Sequence, residues 1–96
     1  MLPRDAYGHA KDIIKGRWER GENLIAKSAE YSYLYALNVI KGRFKKGEKV
    51  ISNYPLYSYL YAIDVIKERF PEGEKSVSKD TYFFLPYREF LRSLKK

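Results

Sequence analysis

Y-L-Y-A-L-N-V-I-K-G-R-F, residues 33 to 44, returns 26 residues later as Y-L-Y-A-I-D-V-I-K-E-R-F, residues 59 to 70. A third copy is legible upstream between Tyr7 and Trp18. Trp18, Phe44 and Phe70 stand 26 residues apart, as do Lys15, Lys41 and Lys67, and Arg17, Arg43 and Arg69. A fixed period of this length marks a repeat array whose units bury their apolar faces on one another. Aligned on it, a single domain of 96 residues divides into copies 1–26, 27–52 and 53–78 and a truncated copy 79–96. The expected fold is all-α: a short solenoid of 26-residue helix-turn-helix repeats, each a long helix plus a short one, closed by a C-terminal capping helix.

The start signals of the long helices agree. Pro3, Ala29, Pro55 and Thr81 share one position, and proline suits a first helical residue because its missing N–H would find no partner there. Ser28 and Asp80, one residue earlier, are good N-caps. Tyr33, Ala36, Leu37, Ile40 and Phe44 then follow helical spacing beside a second stripe of Tyr31, Tyr35 and Val39, which suits a helix packed on two sides. Long helices are therefore expected near residues 3, 29, 55 and 81, with Ile14, Ile40 and Ile66 similarly buried and the small Ala36 and Ala62 where long helices approach closely.

The strings E-R-G-E, K-K-G-E and P-E-G-E follow each copy's last aromatic. Gly21, Gly47 and Gly73 read as punctuation of the break between helices. A short helix is expected next, burying Leu24, Ile25, Val50, Ile51 and Val77. Glu22, Glu48 and Glu74 would lie in its first turn, where a carboxylate meets the positive end of the helix dipole. In the fourth copy Pro86 replaces Leu34 and Leu60, and Arg88 replaces Ala36 and Ala62. Phe83 to Lys96 thus reads as a cap whose helix breaks or restarts at Pro86.

The string Y-x-Y-A-x-x-V-I-K-G-R-F-x-x-G-E-x-x-I resembles the short tyrosine-rich helical repeats found in tandem in phage and prophage proteins, mostly of unassigned function. The likeness covers residues 5 to 78 and fades in the tail. It implies an origin in a mobile element and transfers no catalytic or binding residue. Small phage proteins often act by binding and disabling host machinery, CRISPR-type defence effectors included, so the resemblance implies a host protein or nucleoprotein complex as partner.

Chemistry of other kinds finds little footing. The chain has no cysteine, hence neither disulfide nor thiolate metal site, and no metal or other cofactor is expected. Glycine-rich phosphate loops and H-E-x-x-H are missing. The single histidine, His9, occupies the position of Tyr35, Tyr61 and Tyr87 and reads as a packing residue. Asp12, Asp64, Glu68, Glu72 and Glu74 could pair for acid-base work, but their positions are explained by helix ends and lysine partners. Enzyme activity is not expected. Apolar runs fall far short of the roughly 20 residues of a membrane span, and the start M-L-P-R-D has no signal-peptide core. A cytoplasmic location, in a bacterial host if the chain is phage-derived, is the expectation.

Charge carries the sharper signal. The formal net charge is +7, which favours acidic partners, and it is unevenly spread. The first copy carries five basic and four acidic groups, the second six and two, the third three and four, and the tail five and two. Basic groups at the C-terminal ends of long helices answer the helix dipole in every copy. Lys45, Lys46 and Lys49 do not, because Pro71, Glu72 and Lys75 take their places in the third copy. Lys41, Arg43, Lys45, Lys46 and Lys49 are therefore the expected binding surface, with Tyr31, Tyr54 and Tyr57 near helix starts as aromatic contributors. Arg88, Arg92, Lys95 and Lys96 form a secondary basic set that also reads as a solubilising tail. The ten tyrosines admit two readings, stacking on nucleobases or filling space between helices with hydroxyls at the surface, and helical spacing favours the second for Tyr33 and Tyr59. The expected function is a non-enzymatic inhibitor or adaptor that docks on a host nucleoprotein. The alternatives are direct binding of RNA or DNA phosphates and an assembly protein that stacks end to end.

Overall fold

The computed structural model describes residues 1–95. These residues are all-helical, with seven α-helices, three π-helical stretches and no strand among them. The Cα radius of gyration is 13.5 Å, close to the ~13 Å of a compact 100-residue domain.

The first long helix is α1, Pro3–Gly8, continued as a π-helix over His9–Ile14; the second is α3, Ala29–Tyr35, continued over Ala36–Ile40; the third is α5, Pro55–Leu60, continued over Tyr61–Ile66. The short helices are α2 (Glu19–Ile25), α4 (Lys45–Ser52) and α6 (Pro71–Ser78). The last is α7, Phe84–Ser93. Each long helix packs on the short helix that follows it, while α1 touches α3, α3 touches α5, α2 touches α4 and α4 touches α6. The start signals hold for three copies: Pro3 and Pro55 open their helices, and the Ser28 hydroxyl accepts the Tyr31 N–H at 3.1 Å.

The fourth helix starts later than residue 81. Asp80 accepts the N–H groups of Tyr82 and Phe83 through one carboxylate oxygen. That turn occupies Thr81 to Phe83 before α7 begins. Pro86 then falls in the first turn of α7, where a residue without an N–H costs nothing.

Each π-helical half ends on a lysine in the left-handed region. Lys15 has φ +60° and ψ +40°, Lys41 +60° and +43°, Lys67 +56° and +33°. In the first two copies the Lys and Gly N–H groups both turn back to one carbonyl, that of Ala10 or Ala36. The break between long and short helix is therefore at Lys15-Gly16, Lys41-Gly42 and Lys67-Glu68, not at the later glycines. A left-handed residue with a side chain costs roughly 1–2 kcal/mol, and no glycine in the described residues has positive φ.

Gly21, Gly47 and Gly73 lie inside the short helices, buried. A Cβ on Gly47 would stand 2.5 Å from the Ser32 Oγ, and one on Gly73 equally close to Ser58 Oγ. Gly47 and Gly73 are thus set by contact with the long helix and Gly21 by the Trp18 ring, none of them by a turn. Ser32 and Ser58 are buried there and donate to the Ile25 and Ile51 carbonyls at 3.1 and 2.9 Å.

Ala10, Ala36 and Ala62 are completely buried, with Tyr35, Tyr61, Phe44 and Phe70 beside them in the core. Ile25, Ile51 and Val77 of the short helices are buried as expected. The three isoleucines of the long helices are not alike: Ile40 and Ile66 are half-buried and Ile14 is exposed. Ile13 is exposed too, whereas its counterparts Val39 and Val65 are half-buried. In this structure the first copy has no predecessor to cover that face.

Candidate binding surface

The polar core explains which basic groups are free. Arg17, Arg43 and Arg69 each fork onto the glutamate five residues ahead: Arg17 to Glu22 at 2.7 and 3.3 Å, Arg43 to Glu48 at 2.8 and 2.9 Å, Arg69 to Glu74 at 2.8 and 2.8 Å. The same glutamates accept hydroxyls of the next copy, Tyr35 to Glu22 at 2.8 Å, Tyr61 to Glu48 at 2.6 Å and Tyr87 to Glu74 at 2.7 Å. Those hydroxyls in turn accept the N–H groups of Trp18, Phe44 and Phe70. Burial pushes the Glu22 and Glu48 carboxyls up, but the bonds from arginine and tyrosine outweigh it and leave both below the usual carboxylate range. Glu74, less buried, is lowered chiefly by Arg69. Burial, followed by other influences including the glutamate, pushes the Tyr35 hydroxyl up to about 12 and raises Tyr61 and Tyr87 as well. A helix dipole would ask only for acid in the first turn. The structure shows the glutamates, two buried and Glu74 half-buried, as hubs between copies, signalled in sequence by the fixed offsets of 5 and 13 residues.

Arg43 is thus committed to Glu48 and does not stand free on the surface. Lys46 lies 3.9 Å from Glu22 Oε1, a loose pair from its exposed position. Lys41, Lys45 and Lys49 are exposed and form no ion pair among the described residues. Lys45 and Lys46 are the first two residues of α4, at the helix end whose partial positive charge repels cations. Lys49, one turn on from Lys45, shares its face.

The aromatic contributors separate. Tyr31 is half-buried against Tyr7 with ring centroids 5.6 Å apart, and Tyr57 against Tyr33 at 6.1 Å. Tyr54 is exposed. Tyr33 is buried and donates to Asp64 at 2.7 Å; Tyr59 is half-buried on Phe83. His9 packs on Trp18 at 4.5 Å.

In the secondary set, Arg88 lies over the Phe84 ring at 5.7 Å and Arg92 pairs with Glu89 at 3.2 Å. Arg69, Arg88, Arg92 and Lys95 line a cleft of about 370 Å³ floored by Leu91 and Leu94. Lys96 lies outside the described residues. No group of three or more His, Asp or Glu able to hold a metal ion occurs among the described residues, and no helix is long and apolar enough to cross a membrane. Comparison with family models, curated proteins and solved structures finds no match to this chain.

Proposed function

We propose that this chain is a non-enzymatic binding module, a short solenoid of 26-residue helical hairpins, that docks on an acidic face of a host nucleoprotein in the bacterial cytoplasm. The solenoid reading is supported by the Arg–Glu–Tyr geometry, which recurs at every 26-residue step. The phage-type origin is supported by the tyrosine-rich motif alone. The docking face is Lys41, Lys45, Lys46 and Lys49, with Tyr54 the exposed aromatic near it in sequence.

One observation carries the assignment: Lys45 and Lys46 open α4, where the dipole opposes them, while the third copy has Pro71 and Glu72 at the same place. Lys46 is offset in part by its loose pair with Glu22, but Lys45 forms no ion pair among the described residues and is held there at an electrostatic cost of roughly 0.3–1 kcal/mol, which serves something other than the fold. Changing Lys45, Lys46 and Lys49 to glutamine, which puts no like charge beside the buried Glu22, is expected to leave the melting temperature nearly unchanged. Capture of the partner complex from bacterial lysate should be lost. Direct phosphate binding predicts a steep fall in affinity with salt and loss of capture after nuclease treatment; docking on a protein face predicts capture that survives both. Undiminished capture by the folded triple variant would overturn the assignment.

A further inference from the structure

We infer that the cleft between the first two copies is a phosphate-binding site. It measures about 340 Å³ and is lined by Lys11, Lys15, Gly16, Asn38, Val39 and Lys41. It is independent of the α4 lysines and shares only Lys41 with the proposed docking face.

Three features point there. Lys15 and Lys41 hold left-handed backbone that glycine would adopt freely, yet glycine stands one residue later, with ordinary φ. Nothing crowds those glycines: a Cβ on Gly16 would meet no atom within 4 Å, and one on Gly42 only Ile40 Cγ2 at 4.0 Å. The helix dipole accounts for a cation at each helix end, but the backbone at the first position would favour glycine, and no contact asks for glycine at the second. An anion entering the cleft uses both, the charge of one and the open backbone of the other.

The charges decide which cleft. Three lysines face the first one; Asp12, 3.5 Å from Lys11, offsets one, and two helix C-termini bring roughly half a negative charge each. A net of about +1 is left. The equivalent cleft one copy on, about 250 Å³, keeps its glycine, Gly42, and the lysines Lys41 and Lys67, but has Leu37 where Lys11 stood and Asp64 where Asn38 stood. Its balance is about zero. Two exchanges separate the clefts, Leu37 for Lys11 and Asp64 for Asn38.

Ligand chemistry follows from the donors. Lysine ammonium groups are compact point charges that hold phosphate without a fixed geometry, whereas an arginine fork would grip carboxylate and phosphate alike. Both nearby arginines, Arg17 and Arg43, already hold glutamates. No aromatic ring lines the cleft, so the phosphate itself is recognised and not a base.

The test is amide chemical-shift titration of the labelled chain at low salt, with inorganic phosphate and, separately, with a single-stranded oligonucleotide. Expected are shifts at Lys15, Gly16, Asn38 and Lys41 with inorganic phosphate. Shifts there with the oligonucleotide too identify a nucleic-acid backbone as the source; shifts with phosphate alone identify a free phosphate compound. Asn38→Asp should weaken binding about fivefold, the scale of one exposed charge contact, and Asp64→Asn should bring Gly42 and Lys67 into the response. Asn38→Asp is expected to fold, because the Tyr7 hydroxyl that now accepts the Asn38 amide can turn and donate to the new carboxylate, as Tyr33 donates to Asp64. Affinity unchanged in both Asn38→Asp and Lys15→Gln overturns the site. Shifts confined to Lys45 and Lys49 overturn it as well, while leaving the docking face intact.

Discussion

The Tyr35 hydroxyl donates to Glu22 at 2.8 Å and accepts the Trp18 N–H at 2.8 Å. One ring of the second copy thus completes two polar groups of the first. The fully buried Glu22 would be costly if unpaired. With Arg17 on its other side it becomes a connector, and each later copy is attached to its predecessor in the same way.

Removing one connector should therefore loosen the whole chain. Tyr61→Phe leaves the Phe44 N–H and a Glu48 oxygen short of a partner, at about 1–3 kcal/mol. For a chain of this size each kcal/mol lowers the melting temperature by roughly 4–8 °C. Glu48→Gln should cost a similar amount, moderated because the Arg43 side chain is 45% exposed and can rehydrate. The double variant should lose less than the sum, with a coupling of about 1 kcal/mol. Strict additivity by thermal melting would show that the two groups act separately.

The pH profile should have two limbs. Glu22, Glu48 and Glu74 are held below the ordinary glutamate value of 4.5. A depressed carboxylate contributes its stability above that value and loses it as pH falls through the lower folded value. Melting temperature should drop below pH 4.5, less so in Glu48→Gln. Tyr35, Tyr61 and Tyr87 are raised above the ordinary tyrosine value of 10.0, so their contribution is complete below pH 10 and lost as pH rises beyond it. Tyr61→Phe should flatten the alkaline limb, and an unchanged limb would show that this hydroxyl does not stay protonated in the fold.

Helix starts were legible because proline and serine act within one turn of chain. What depends on a distant element was not. Gly47 looked like a break because glycine usually is one, and only Ser32 from another helix reveals the contact that requires it. The π-helical halves escaped notice since, over five or six residues, their apolar pattern hardly differs from an α-helical one. Arg43 and its partner Glu48 are only five residues apart, but the helix dipole accounts for each separately, so neither position calls for the other. Lys45 and Lys46 lie at a helix N-terminus, where the dipole gives a cation no reason to stand.

Glycine substitutions separate the two roles. Gly47→Ala should gain ~0.5–1 kcal/mol from helix propensity, but the new methyl would stand 2.5 Å from Ser32 Oγ. Overpacking of that kind costs about 1–3 kcal/mol, and the net is a loss. Gly16→Ala meets open space and should be neutral or slightly stabilising. Equal melting temperatures for the two variants would mean that α4 shifts to absorb the methyl.

Lys41 offers the sharpest separation of stability from binding. Its φ of +60° imposes a steric cost that glycine does not bear, while glycine surrenders more chain entropy on folding. The balance favours Lys41→Gly by about 0.5–1 kcal/mol, or a few degrees of melting temperature. No ion pair is lost, since Lys41 forms none among the described residues. Lys41→Gln keeps a side chain in the left-handed region and should not gain. If both variants bind anions less well but only the glycine variant melts higher, the lysine is held against the preference of the backbone. A Lys41→Gly chain that melts lower than wild type would instead assign the side chain a part in the fold.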